Sequence, residues 1–197
     1  MSRRSPTPSQ TIGPFFAQGL GPGWPDLTEG ITGGERIAVE GHVLDGDSKP
    51  VPDAMLEIWQ ADAQGRYPAP WAASDPGAPA RSAPPAFRGF GRALTDPRGQ
   101  YRFTTIKPGR VPGAGGALQA PHLNLTIFAR GLLRQLTTRI YFAGDPSNDT
   151  DAVLAAVADP AARRTLIAAR QGGSSQTVPY RFDVILQGEG ETAFFDI

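Results

Sequence analysis

The 197-residue sequence contains no cysteine and only two histidines, His42 and His122. The first absence excludes disulfides, thiolate nucleophiles and zinc–thiolate sites. The second means that any metal centre within the chain would have to combine His122 with tyrosines or carboxylates. Net charge is missing too, because 19 basic residues balance 19 acidic ones. That gives no support to nucleic-acid or membrane-surface binding, both of which depend on a basic excess. No apolar run approaches the ~18 residues of a membrane span. The start, MSRRSPTPSQT, has two arginines but no apolar segment behind them, unlike a secretory signal. A cytoplasmic chain is expected. The nucleophile elbow GxSxG, the Walker loop and the zinc helix HExxH are all absent, and GAGGA at 113–117 lacks the third glycine of GxGxxG.

Turn formers are abundant. The chain has 24 glycines and 20 prolines, too many for a helical bundle and typical of strands joined by turns. With 40% apolar residues, a chain of this length buries a sizeable core. Residues 1–34 carry TPSQTIGPFF and GLGPGWP, show no periodicity and read as an extended N-terminal arm. The pair Phe15-Phe16 argues that the arm docks on something. Residues 35–197 read as a single β-sandwich domain. RIAVEGHVLD and AMLEIWQAD alternate and are expected to pair as a meander. GRALTD and QYRFTTI flank Asp96-Pro97-Arg98-Gly99 as a hairpin. HLNLTIFAR and LTTRIYF are rich in β-branched and aromatic residues and predict two more strands. PYRFDVILQGEGETAFFDI predicts a last hairpin turning at Gly188-Glu189-Gly190. Residues 149–170 predict helix broken near Pro160, and 68–86 is a Pro/Ala loop of a length that is usually functional or mobile. The expected fold class is mainly β: an antiparallel β-sandwich with one or two surface helices.

Few residues stand out chemically. On a strand, i and i+2 share a face, so His122 and Asn124 look out together from HLN. This is either a His-x-His metal grip with one ligand missing or a strand that never had one. His42, beside Gly41, reads as structural. Arg139 sits among β-branched and aromatic neighbours, where a guanidinium is costly unless it is paired or faces a cavity. It is therefore an arginine of an internal ion pair or strand edge, or an anion-binding residue facing a pocket or a partner. Glu57 of MLEIW admits the same two readings and is a candidate counter-ion for Arg139. Tyr67, Tyr101, Tyr141 and Tyr180 would ordinarily be core or rim residues. From residue types alone, no complete active site assembles.

Taken in order, VLDGDSKPVPDAMLEIWQADAQGRY, GRALTDPRGQYRFTTIKPG, and PHLNLTIFAR followed by IYFAGD resemble the intradiol ring-cleaving dioxygenases. The resemblance covers essentially the whole chain, and the LEIWQADAxGRY and TIKPG blocks are specific. It implies a β-sandwich and a non-haem Fe(III) held by two tyrosinates and two histidines. Carried over position by position, the first tyrosinate falls on Tyr67, the second on Val111, and the histidines on His122 and Asn124. The arginine expected three residues before the first histidine is Gln119, and the glutamine of the following strand is Arg139. A valine side chain cannot coordinate, a neutral amide is a poor substitute for imidazole, and one phenolate is left to offset the charge of Fe(III). Arg139 adds a positive charge, and two unit charges at ~4 Å interact by about 4 kcal/mol at an effective dielectric of ~20. These degenerate positions predict no iron in the chain's own pocket.

TPSQTIGPFF, APHLNLTIFARG and GEGETAFFDI further resemble the iron-free, alpha-type chain of two-chain members of the family. The resemblance implies an obligate hetero-oligomer with a homologous beta chain that holds Fe(III). That assembly would cleave 3,4-dihydroxybenzoate (protocatechuate) with O2 to 3-carboxy-cis,cis-muconate in aromatic catabolism. In it the arm packs on the partner. Thr11, Gly13 and Pro14 would line the partner's substrate pocket, and Arg139 would attract or orient the substrate carboxylate or else hold the degenerate pocket together. Two other readings stay open: a self-sufficient metal-dependent enzyme using Tyr67 and His122 with carboxylates, and a non-catalytic β-sandwich binding module.

Overall fold

The computed structural model describes residues 10, 11, 13, 19–21, 23–68, 87–172 and 176–196. Pro14, the Phe15-Phe16 pair and all of the 68–86 loop except Pro68 lie outside the described residues. Alternating burial builds two layers. In strand β7 (His122–Phe128), Leu123, Leu125 and Ile127 are buried in the main core, so His122 and Asn124 take the other face. The same split places Leu56 and Ile58 of β2 (Met55–Trp59) and Ile140 and Phe142 of β8 (Leu136–Phe142) inside. One layer runs β3 (Phe90–Leu94), β2, β7, β8, with every pair antiparallel. The facing layer centres on β1 (Arg36–Leu44), flanked by β4 (Gln100–Ile106), β10 (Val178–Arg181) and β11 (Val184–Ile185). Phe103, Phe142, Ile37 and Leu56 pack between them.

Two segments join the layers at their sides. Strand β9 (Ile167–Arg170) pairs with β8 through Ile167 and Ala168 and with β10 through Ala169 and Arg170. On the opposite side Trp24 bridges Arg92 of β3, Asp26 bridges Thr104 of β4, and Leu27 enters the core. Residues 24–27, placed in the arm by their sequence, therefore lie on the chain's own sandwich. A small ribbon of β5 (Val111–Pro112) and β6 (Leu118–Gln119), two short helices, α1 (Ala152–Ala156) and α2 (Pro160–Arg164), and two 3-10 turns, Ala114–Gly116 and Pro146–Thr150, complete the described elements. No helix among the described residues is long and apolar enough to cross a membrane.

The mainly β sandwich stands, but several local expectations are corrected. Strands β1 and β2 do not form a meander, since they belong to different layers. The Asp96–Gly99 turn closes as expected, with Gly99 N donating to Asp96 O at 2.8 Å, yet β3 and β4 part to opposite layers instead of laddering. Alternation reports which face of a strand is buried, and both layers bury theirs in one core. The turn at 188–191 also forms, but the returning chain bridges Phe195 to Thr137 of β8. The helical reading of 149–170 fails at its end, where β9 is strand because it is the seam between layers; tertiary pairing outweighs helix propensity there. Three pairings, β1–β10, β1–β11 and β8–β9, are parallel, so the sandwich is mixed rather than purely antiparallel.

The WQADAQG and TIKPG blocks have a packing reason. Gln60 is fully buried; its Nε2 donates to Ile106 O at 2.9 Å and its Oε1 accepts from Thr105 Oγ1 at 2.7 Å. Beyond this clasp the two segments cross in backbone contact. Gly65 has φ +76°, and a Cβ there would overlap Arg110 O, while one on Gly109 would meet Ala63 O at 2.6 Å. Only glycine tolerates both the conformation and the approach. The crossing fixes where Tyr67 and Val111, two residues past each glycine, emerge. Gln60→Leu, which strands Thr105 Oγ1 and Ile106 O without their partner, is expected to cost about 2–4 kcal/mol, read as a lowered urea midpoint at unchanged slope.

Candidate functional site

The outer face of the β2–β7–β8 layer gathers most of the residues singled out by sequence. On β7 and β8, His122 lies opposite Tyr141 and Asn124 opposite Arg139, and directly opposed side chains share a face. Asn124 Nδ2 donates to Tyr67 Oη at 3.1 Å and to Trp59 O at 3.3 Å. The Tyr67 ring stacks on Trp59 with centroids 6.0 Å apart. Val111 is buried and lies opposite Gln119 in the β5–β6 ribbon. Arg139 Nη1 reaches that ribbon, donating to Gln119 Oε1 at 2.6 Å and to Tyr141 Oη at 3.3 Å. Tyr67 and Asn124 thus meet directly, while Val111 and His122 connect to them through Gln119, Arg139 and Tyr141.

Beneath it lies an acid that sequence reasoning missed. Asp151 is fully buried; its Oδ1 accepts from Tyr141 Oη at 3.2 Å and from Val153 N and Leu154 N, both at 2.9 Å, and its Oδ2 accepts from Ala120 N at 2.7 Å. It caps α1 and ties that helix to the start of β7. Its position before an Ala/Leu helical run was the available signal. Burial pushes the Tyr141 hydroxyl up to about 12, so it stays a phenol and can donate to Asp151.

His122 is 3% exposed, its ring 5.6 Å from that of Tyr141. Its Nδ1 donates to Ala120 O at 2.8 Å, which leaves Nε2 as an acceptor. Burial, aided by the Arg139 cation, lowers its pKa to about 4. The expected pairing of Glu57 with Arg139 is corrected. Glu57 lies opposite Arg92 in the β2–β3 ladder and accepts from its Nε and Nη2 at 2.9 and 2.6 Å. Among the described residues no carboxylate lies within 4 Å of Arg139, whose acceptors are Gln119 and Tyr141. Thr11 lies elsewhere: its Oγ1 accepts from Gly131 N at 2.7 Å in the β7–β8 turn, whereas Arg139 and Asn124 sit near the open end of that hairpin.

The donor set does not fit Fe(III). Val111 has no lone pair, and the Asn124 amide occupies the Tyr67 hydroxyl as a hydrogen-bond donor. A guanidinium stands where a trivalent cation would need anions.

His122 gives the fold a pH dependence. The unfolded histidine titrates near 6.5 and the folded one near 4, so the unfolded state takes up the proton first as pH falls. Stability is fully present above about pH 6.5, declines through that window and is level below about 4, with a total of up to ~3 kcal/mol. His122→Asn, which keeps a donor for Ala120 O, is expected to flatten this slope in urea denaturation measured between pH 7.5 and 4.5.

Comparison with known proteins identifies the family. A family model described as "Dioxygenase" matches residues 13–188. The chain is 42% identical to the protocatechuate 3,4-dioxygenase alpha chain of Burkholderia cepacia, with both chains covered in full. It is 38% identical to the protocatechuate 3,4-dioxygenase beta chain of the same organism over 90% of this chain and 77% of that one. Among solved structures, the dioxygenase domain of a dioxygenase–carbohydrate-binding protein fusion from Streptomyces sp. SirexAA-E superposes with a TM-score of 0.62 at 29% identity, covering 96% of this chain and 100% of that one. The chain belongs to the intradiol ring-cleaving dioxygenase family.

Proposed function

We propose that this chain is the iron-free subunit of a two-chain intradiol dioxygenase and completes the substrate pocket of a homologous, Fe(III)-bearing beta chain. The observation that carries the reading is a preserved framework around a lost donor set. The Gln60 clasp and the glycine crossing remain, while two of the four ligand positions hold Val111 and Asn124. The similarity to both an alpha and a beta chain of protocatechuate 3,4-dioxygenase supports such a pairing.

The proposed reaction inserts O2 between the two hydroxyl-bearing carbons of 3,4-dihydroxybenzoate to give 3-carboxy-cis,cis-muconate. The partner's iron would supply activation of the bound catechol toward O2; this chain would bind and position. Its arm, within residues 1–34, would reach the partner's pocket with Thr11, Gly13 and Pro14. The bond from Gly131 N to Thr11 Oγ1 anchors the base of that reach. Among the described residues nothing lies within 4 Å of a Cβ on Gly13, which leaves room there for close approach of a partner. Pro14, with its fixed φ, would stiffen the tip. An arginine's planar fork suits the substrate carboxylate, but Arg139 sits near the open end of the β7–β8 hairpin, away from the Thr11 contact, so the arm and Arg139 would not serve one pocket.

Deleting residues 1–15 from this chain of the assembly is expected to lower kcat/KM about ten- to a hundredfold, the scale of a misplaced substrate, with iron content unchanged. Pro14→Ala is expected to act in the same direction, and His122→Ala to leave iron content as it was. Loss of iron on any of these changes, or unaltered kinetics after the deletion, contradicts the reading.

A further inference from the structure

Arg139 is half-buried and lacks a carboxylate within 4 Å among the described residues. Arg92, on the same layer, shows the contrast: its side chain is 13% exposed and holds Glu57 at 2.6 Å. A guanidinium withdrawn from water needs anionic or multiple neutral acceptors in exchange. Arg139 has two neutral ones, the Gln119 amide and the Tyr141 phenol, and both are served by Nη1. Its Nε–Nη2 edge, with three of the five N–H donors, has no acceptor among the described residues. That edge is the one that engages a carboxylate side-on through two parallel hydrogen bonds.

The surroundings hold this edge in place and add an aromatic surface. Tyr141 is tethered to Asp151, which three backbone N–H groups fix in turn, so the guanidinium is pre-organised and binding need order little. Directly opposite Arg139 in the ladder, Asn124 holds the Tyr67 hydroxyl. Tyr67 and Trp59, stacked on one another, are 39% and 37% exposed. Leu118, beside Gln119, is exposed as well. The site therefore offers a cation, with one edge lacking an acceptor among the described residues, on the same sheet face as exposed aromatic and apolar side chains.

We propose that this chain's own degenerate pocket is a binding site for an aromatic carboxylate, with the carboxylate on the Nε–Nη2 edge of Arg139 and the ring against Tyr67. The proposal does not depend on the pocket of the partner or on iron. If it holds, Arg139 acts within its own subunit, at the end of the β7–β8 hairpin remote from the Thr11 contact.

The test is calorimetric titration of the full chain with benzoate, benzamide and acetate. One benzoate site per chain is expected, with benzamide, which has the ring but no charge, at least about tenfold weaker. Arg139→Gln is expected to weaken benzoate by about tenfold or more, as loss of a charge-assisted pair should. Tyr67→Leu, at a position 39% exposed, is expected to weaken benzoate and leave acetate unchanged. No saturable benzoate binding, equal binding of benzamide, or benzoate affinity untouched by Arg139→Gln overturns the proposal. If Arg139→Gln fails to fold, the benzamide comparison and Tyr67→Leu still decide it. An arm deletion that lowers turnover while these titrations fail would leave the pocket-completing role standing.

Discussion

Two stretches of backbone cross at the closest approach peptide groups allow, and the outer-face site depends on that crossing. Gly65 in its left-handed conformation lies against Arg110 O, and Gly109 lies against Ala63 O and Gly65 N. Gln60 locks the crossing from the core side by bonding Thr105 and Ile106. A buried amide with every partner satisfied is worth keeping, because replacing it strands polar atoms that water cannot reach. Tyr67 and Val111 each lie two residues past one of the crossing glycines, so their placement follows from the crossing whatever side chains they carry.

Framework and donors are thus separable, because the contacts that shape the site do not depend on the side chains at 111 and 124. Strands β7 and β8 still present His122, Asn124, Arg139 and Tyr141 on one face, and Asp151 still binds that face to α1. Exchanging a ligand for valine or asparagine alters none of these contacts. What changes is the electrostatics: a neutral imidazole, an amide and a guanidinium now occupy the site. A trivalent cation is unfavourable there.

Much of this was legible in the sequence because it rests on side-chain type at a fixed place. The valine at 111 and the asparagine at 124 can be read directly, and alternation in HLNLTIF already put His122 and Asn124 on one face. Strand partnership was not legible. The β1/β2 and β3/β4 pairs each straddle the two layers, and a period of two cannot distinguish a neighbour in the same layer from one across the core. The true partner of Glu57 was missed for the same reason, since Arg92 faces it only once the β2–β3 register is known. Asp151 escaped notice because a capping aspartate looks like any other turn residue until its oxygens are traced to Ala120, Tyr141, Val153 and Leu154.

The central claim is that this chain holds none of the iron itself. Iron content and visible absorption of the chain purified alone, and again together with a beta-type homologue, test it directly, because tyrosinate-to-Fe(III) charge transfer colours such sites. The account predicts a colourless, iron-free chain alone and a coloured complex with one iron per pair. Stoichiometric iron and colour in the isolated chain would contradict it, and would mean that Tyr67 and His122 bind the metal with ligands other than Val111 and Asn124.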